Sequence, residues 1–578
     1  MAADHEQSDG QLTETTPLLG KDIIHTVEPN DGITTQANAT LGVNDKLPRQ
    51  SVDGEGLERQ PSLEDKAKQY EGMPEVKKHL KYILPALGIG VFLAAADQTI
   101  IVTSYGNIGS ELKSLNRTSW IATAYFLTLT SFQPLYGKLS DIFGRKACLL
   151  FAYMIFGIGC LCCGLVQNMS QLIAARAFAG IGGGGMTTVV SILLSDVVPL
   201  RERGQWQGYL NIIYAAGSSS GAPFGGILAD SLGWRWSFLI QAPLCLAAFA
   251  AVFFVLNLPK RDETDWKKKL GRIDFLGAAI LISAVFTLLL ALDRGSNVSW
   301  QAGITIVSIA VSIPLFVLFI IVEMKVAQEP FAPGHIIFNR TTFACYFCYF
   351  FSIAGWLAAL FYIPLYFQVV EGLSATGAGI RLIPSIVGSV CGSLAGGYYM
   401  RKTGKYYWLT VLAYFFLVVG MTIIFLCSGV LVNSTVGIIL AMALSGFSSG
   451  IGSTCALIAL IANCSREDQA VATACSYLFR SLGSVFGISM SATLANQALR
   501  KSLASELPSL GLSKEEALEI AERVRQSLES LRGLAPDVKA IVIESYAQSS
   551  TAAQGCGIAL VAGVAISAWF IKEKALGK

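Results

Sequence analysis

The chain has 578 residues, of which 53% are hydrophobic and only 14% charged, with a formal net charge of +3 and a mean hydropathy of +0.53. Those values belong to a polytopic membrane protein and not to a string of soluble domains. The small positive balance, scattered over loops, implies no nucleic-acid partner.

Residues 1 to about 75 are polar, rich in Gly, Asp, Glu, Gln and Thr, and lack apolar periodicity. They read as a disordered cytoplasmic tail (1–79) with no signal-peptide pattern at its start. Within it, Glu14, Leu18 and Leu19 have the spacing of an acidic dileucine sorting signal, of the kind read by adaptor proteins.

From Leu80 the sequence becomes a series of apolar runs of ~20 residues, each long enough to cross a bilayer as a helix. Spans are predicted near 80–104, 119–139, 146–167, 171–195, 204–229 and 236–257. Two more follow near 273–293 and 301–323, and a last set near 341–367, 376–400, 406–427, 434–461, 469–496 and 552–572. The fold class expected is an all-α membrane protein of about fourteen helices. Six form an N-terminal bundle (80–257), two lie in a linker (258–340), and six form a C-terminal bundle (341–578) with a long loop near 497–551. In that loop Ser513 and Glu516 make a capping box, and Leu518, Ala521, Val524, Leu528 and Leu531 follow at helical spacing.

Orientation comes from the short loops. Lys138, Arg145, Lys146, Arg201, Arg203, Lys260, Arg261, Arg401, Lys402, Lys405 and Arg466 collect on one side, which is therefore cytoplasmic, with both termini. The opposite loops hold sequons at Asn116, Asn297 and Asn433, but Asn463 starts another on the cytoplasmic side, so glycosylation stays open.

The first six spans and the last six are weakly self-similar at an offset of 266 residues: Gly180 falls on Gly446, Gly217 on Gly483 and Gly221 on Gly487. Parallel repeats joined by a linker suit a rocking transporter with a central site.

Ionisable residues inside apolar spans are few, and each is a functional candidate because an unpartnered charge there costs several kcal/mol. They are Asp97 in the first span, Arg176 in the fourth and Arg480 in the thirteenth. All four histidines lie outside the spans, so a proton site within the membrane requires a carboxylate. Asp97 is the candidate, with Arg176 as the fixed cation that favours its ionised form. The alternative is a structural role for both.

The thirteen cysteines lie mostly in apolar runs, Cys345 and Cys348 among them, and read as small buried hydrophobes. No metal site, cofactor or enzymatic motif is implied; the Gly182–Gly185 run lies mid-span, where close helix packing explains it.

Between the second and third spans, Gly137, Lys138, Asp141, Gly144, Arg145 and Lys146 form a charged hinge, with Asp141 in helical reach of Arg145. The fifth span carries Gly217, Gly221, Pro223, Gly225 and Gly226, and glycines four apart line one helix face. These two stretches, with Asp97-Gln-Thr99 and Arg176 plus Gly180, resemble the fourteen-span drug:proton antiporter branch of the major facilitator superfamily. The phrases KLGRIDFLGA, LDRGSNVSW and KTGKYYWLTV look like fungal vacuolar basic amino acid transporters and their multidrug-exporter relatives. Two departures stand out: Pro223 comes one place late, and Val102 to Tyr105 replaces the expected Asn and Ala-Leu-Pro.

The resemblance implies a major facilitator fold and proton-coupled antiport of an organic solute out of the cytosol, with basic amino acids stored in the vacuole as the leading reading. The partners implied are small-molecule cargo, protons, the lipid bilayer and, through Glu14, Leu18 and Leu19, a sorting adaptor. The hinge from Gly137 to Lys146 is expected to gate. Tyr125, Gln133, Trp356, Tyr362, Tyr366 and Arg480 are expected in the substrate pocket, with Glu371 near the outer mouth. Plasma-membrane efflux of drugs or a secondary metabolite, and a nutrient sensor that does not transport, are the alternatives.

Overall fold

This computed structural model describes residues 80–576, apart from 102–103, 105–107, 110, 113–118, 259–272, 298, 328–329, 331–333, 374, 511–515, 517–519 and 521–533. All of these belong to one compact unit, Pro61–Lys578. The tail with Glu14, Leu18 and Leu19, the sequon at Asn116 and most of the segment 513–531 lie outside the described residues.

Fourteen helices of fifteen residues or more are described: α1 Leu80–Ile100, α2 Ser119–Phe143, α3 Arg145–Leu165, α4 Met169–Val197, α5 Leu200–Ser231, α6 Gln241–Val255, α7 Phe275–Asn297, α8 Gly303–Lys325, α9 Arg340–Val369, α10 Ile383–Thr403, α11 Tyr407–Cys427, α12 Thr435–Asn463, α13 Gln469–Glu506 and α14 Pro536–Trp569. Short helices Trp236–Leu239, Gly334–Ile337 and Ala375–Ile380 precede α6, α9 and α10. Among the described residues the sole β pairing is an isolated bridge between Ser428 and Asn433. Twelve of the long helices are long and apolar enough to cross a membrane. The other two, α2 and α5, have the length but carry Gln133, Lys138 and Asp141, or Arg201, Glu202 and Arg203. Both pack against helices of the opposite set as well as their own, which lowers their need for lipid-facing apolar surface.

Helix starts and stops follow local chemistry. Asn168 and Ser434 cap α4 and α12 by accepting from Gln171 N and Gly437 N, and Gly404 ends α10 in the left-handed region. The largest difference from expectation is the region 497–551. There α13 runs on to Glu506 and α14 already begins at Pro536, a residue suited to the first helical turn. These extensions run through a polar stretch of sequence, yet Leu499, Leu503, Leu507, Val542 and Tyr546 bury one another with Val369. Tertiary packing, not hydropathy, extends the helices.

Contacts divide the helices into two sets built alike. In the first, α5 and α6 pack on α1, α4 packs on α2 and α3, and α6 on α3; in the second, α13 and α14 pack on α9, α12 on α10 and α11, and α14 on α11. The repeated glycines explain the likeness. A side chain at Gly217 or Gly221 would run into the α1 backbone at Phe92 or Ala96, and one at Gly483 or Gly487 into the α9 backbone at Phe350 or Ala354. Gly180 meets Tyr125 on α2 as Gly446 meets Ser385 on α10. The α7–α8 hairpin stands apart: α7 packs on α2 and α13, while α8 packs mainly on α7.

Candidate functional site

Asp97 and Arg176 meet inside the first helix set. Arg176 Nη1 donates to Asp97 Oδ2 at 2.6 Å, and the two side chains are 0% and 1% exposed. Gln241 Nε2 donates to the other carboxylate oxygen at 3.2 Å and to Ser237 O at 2.9 Å. The guanidinium also donates through Nε to Ile121 O at 3.3 Å and lies 4.3 Å from the centre of the Tyr125 ring and 5.5 Å from that of Phe238. One ion pair thus ties together α1, α2, α4 and the segment leading into α6. A charge so buried is tolerable only when paired, so removing either partner strands the other, at a cost of ~3–5 kcal/mol. Protonation of Asp97 cancels the attraction without deleting an atom. Arg176 would then keep the Ile121 carbonyl and two aromatic faces, a second arrangement within reach of the first.

The charged hinge folds as a compact cluster. Arg145 Nη2 lies 2.7 Å from Asp141 Oδ1, its Nε donates to Asp196 Oδ2 at 2.8 Å, and its Nη1 donates to Ser140 Oγ at 2.6 Å. Gly144 makes the break between α2 and α3 at φ +90°, where a side chain would be strained. Lys146 Nζ donates to Phe253 O at 2.7 Å. A Cβ at Gly137 would lie 2.6 Å from that of Ala474 on α13. Asp196, the acid at the end of α4, was not among the sequence candidates. It lies just past the predicted end of an apolar run, 51 positions from Arg145. Gln241 was missed as well, although an amide in the first third of a predicted span was a visible signal.

Polar links between the two helix sets gather at the end bearing Arg145, Arg201, Arg401 and Arg466. Arg203 Nη1 donates to Gln469 Oε1 at 3.1 Å, Arg401 Nη1 donates to Gln205 Oε1 at 2.9 Å, and Arg401 Nη2 lies 3.7 Å from Glu202 Oε1. Deeper in, Asn211 Nδ2 donates to Ser393 Oγ at 2.9 Å and Ser481 Oγ to Gln133 Oε1 at 2.9 Å. Between them α5 and α10 touch backbone to backbone at Gly204 and Gly397. The structure is therefore sealed at its basic end.

The other candidates are scattered. Tyr125 is wholly buried beside Arg176, its hydroxyl 3.5 Å from Ala94 O. Tyr362 packs with Ala495 and Ala553, and Tyr366 donates to Asn433 Oδ1 at 2.7 Å, both inside the second set. Trp356 is half-buried on α9. Gln133 joins the two sets, and Arg480 lines a crevice between them with Gln207, Asn211, Tyr349, Thr454 and Tyr477. Glu371 pairs with Arg381 and accepts from Thr435 Oγ1 at 2.6 Å. In α5, Gly217, Gly221 and Gly225 face α1, whereas Pro223 is exposed and Gly226 half-buried. Asn297 ends α7, and Asn433 is exposed beside Ser434, the cap of α12. Among the described residues no group of His, Cys, Asp or Glu has the arrangement of a metal site.

Comparison with known proteins gives this architecture its relatives. The Major Facilitator Superfamily model matches residues 87–488. The vacuolar membrane amino acid uptake transporter fnx2 of Schizosaccharomyces pombe is 44% identical, over 73% of this chain and 74% of its own. The multidrug resistance protein fnx1 of the same yeast is 38% identical over 81% and 88%, and the vacuolar basic amino acid transporter 2 of Saccharomyces cerevisiae 34% identical over 75% and 93%. Among solved structures, the proton:xylose symporter XylE shares the fold, with a TM-score of 0.56 at 13% identity over 87% of this chain and 98% of its own. The chain therefore belongs to the major facilitator superfamily, as a multi-pass membrane transporter of small-molecule cargo and not an enzyme.

Proposed function

We propose that the chain exchanges protons for basic amino acids, moving them out of the cytosol and into the vacuole. In this reading all fourteen long helices cross the membrane, arranged as six, two and six, with the basic end facing the cytosol. The observation that carries it is the Asp97–Arg176 pair, 0% and 1% exposed and 2.6 Å apart, a carboxylate whose ionisation decides whether Arg176 is held. The names of two relatives, an amino acid uptake transporter and a basic amino acid transporter of vacuolar membranes, support the cargo and the compartment.

Coupling then follows from electrostatics. A luminal proton on Asp97 frees Arg176, and the α1–α4 contact relaxes; loss of the proton to the cytosol restores the pair and resets the site. The hinge from Gly137 to Lys146 and the Gly204–Gly397 contact form the cytosolic gate. The Gly217, Gly221 and Gly225 stripe keeps α5 and α1 moving as one body. In the tail, Glu14, Leu18 and Leu19 would engage a sorting adaptor.

A second reading, efflux of drugs, is favoured by the 38% identity to a protein named for multidrug resistance. Flux in proteoliposomes under an imposed pH gradient separates the two. Proton-coupled amino acid exchange gives gradient-driven uptake of labelled arginine that Asp97→Asn abolishes; dye movement without arginine movement would transfer the assignment to efflux. Arginine flux that ignores both the gradient and Asp97→Asn would remove the proton from the mechanism.

A further inference from the structure

Among the described residues Arg480 has no counterion, and it stands at the meeting of the two helix sets. It stands eleven residues into α13, roughly 16 Å along the helix from Gln469 at 1.5 Å per residue, so it lies deep within the span. Its crevice is built by both sets: Gln207 and Asn211 come from α5, Tyr349 from α9, Thr454 from α12 and Tyr477 from α13 itself. Among the described residues no carboxylate pairs with Arg480 and no acceptor hydrogen-bonds to it, and it carries the one formal charge among the residues lining the crevice.

Three neighbouring hydroxyls are already engaged elsewhere. Tyr349 Oη donates to Ser453 O at 2.6 Å, Thr454 is hydrogen-bonded to Ser393 Oγ at 2.6 Å, and Tyr214, close enough to Arg480 to interact electrostatically, donates to Gln98 Oε1 at 3.1 Å. The membrane carboxylate of the first set, Asp97, is sealed against Arg176 and does not reach this crevice. A guanidinium offers five donors in a fixed planar fork and keeps its charge at any accessible pH. Half-buried and uncompensated at membrane depth, such a group calls for an anion from outside the chain.

We propose that Arg480 is the receptor for the carboxylate of the cargo, so that the transported solutes are carboxylates, amino acids among them, and not plain organic cations. The assignment rests on the transport reading above and names the group of the cargo that the site recognises. The planar fork matches a carboxylate through two parallel hydrogen bonds, whereas a cationic dye or an amine without a carboxylate meets like charge. With the basic end sealed, the crevice has a volume of only about 10 Å³, room for about one water molecule. The carboxylate must therefore enter as the two sets separate, and its binding favours the opened state. For a basic amino acid the fork also sets direction: the carboxylate faces Arg480, and the cationic side chain points away from it.

The test compares solutes that differ only by the carboxylate, using the full chain in proteoliposomes: arginine against agmatine, and leucine against 3-methylbutylamine. In wild type the acid of a pair should move about tenfold faster or more than its amine, as expected for a charged hydrogen bond. Arg480→Gln should bring that ratio near one, and Arg480→Lys should restore part of it. Equal rates for acid and amine in wild type, or a ratio that survives Arg480→Gln while both rates fall, would overturn the assignment in favour of a structural arginine. A dependence on Arg480 that vanishes when chloride is replaced by methanesulfonate, an organic anion without a carboxylate, would overturn it in favour of a bound inorganic anion. If arginine does not move but leucine outruns its amine and loses that lead in Arg480→Gln, the carboxylate receptor stands and the basic amino acid cargo falls. Should neither pair move, thermal unfolding decides. A larger shift with the acid than with the amine, lost in Arg480→Gln, supports the receptor, and equal shifts overturn it.

Discussion

Substituting Gly397 by valine should force the basic end open. A Cβ at this position would lie 2.5 Å from the carbonyl carbon of Gly204 and 2.6 Å from Gln205 N, and these are backbone atoms that cannot rotate away. Carbon atoms prefer ~3.5–4.0 Å, so α5 and α10 must separate by roughly 1 Å, and the Arg401–Gln205 and Asn211–Ser393 hydrogen bonds, both 2.9 Å, stretch with them. Overpacking of this kind costs ~1–3 kcal/mol. Because the contact exists only in the sealed state, the whole cost falls on that state and shifts the equilibrium ~5–150-fold toward opening. The shift can be read from the distance between spin labels on Ala147→Cys and Lys402→Cys, at the basic ends of α3 and α10. The background should lack the exposed Cys162 and Cys391. Gly397→Val should move the distribution to longer distances, and a well-folded variant with the wild-type distribution would refute the reasoning.

Other substitutions probe other contacts. Asp97→Asn leaves Arg176 buried without its counterion and should lose ~3–5 kcal/mol of stability, whereas the joint change Asp97→Leu with Arg176→Met should cost much less; thermal unfolding of the purified protein compares them. Gly221→Leu and Gly487→Leu should each destabilise by ~1–3 kcal/mol, since both push a side chain into a neighbouring backbone, at Ala96 and Ala354 respectively. Glu111 is held below its ordinary 4.5 by the hydrogen bond from Arg235, and next by that from Trp234 Nε1 at 2.7 Å. A depressed carboxylate contributes stability above its unfolded-state pKa and loses it as pH falls through the lower folded value. Glu111→Gln should accordingly lower the unfolding temperature at pH 7 and at pH 5, with the difference from wild type fading only below 4.5.

Helix positions were largely legible in the sequence because a bilayer demands ~20 apolar residues of every crossing, and most helices begin within a few residues of the expected place. The signal failed where packing replaces hydropathy. Leu503, Val542 and Tyr546 keep α13 and α14 helical through a polar stretch that reads as a loop. Asp97 and Arg176 stood out as charges in apolar runs, but their meeting across 79 positions is a tertiary fact that no local pattern carries. The pocket aromatics were the least readable. A helix packed on several sides has no polar stripe to show which face looks inward, and so Tyr362 and Tyr366 turn into their own helix set while Arg480 reaches the crevice.

The hydrogen bond from Arg203 to Gln469 joins positions 266 apart, the same interval that relates the two halves of the sequence. A residue touches its own counterpart only where the dyad relating the copies passes between them, so this bond marks the point at which that axis leaves the molecule. Motion that respects the dyad cannot shift one of these side chains past the other along the axis; their relative movement is confined to the plane perpendicular to it. Two identical copies would set a residue against itself here, arginine repelling arginine or amide facing amide. The charged donor and neutral acceptor now in place require the copies to have diverged.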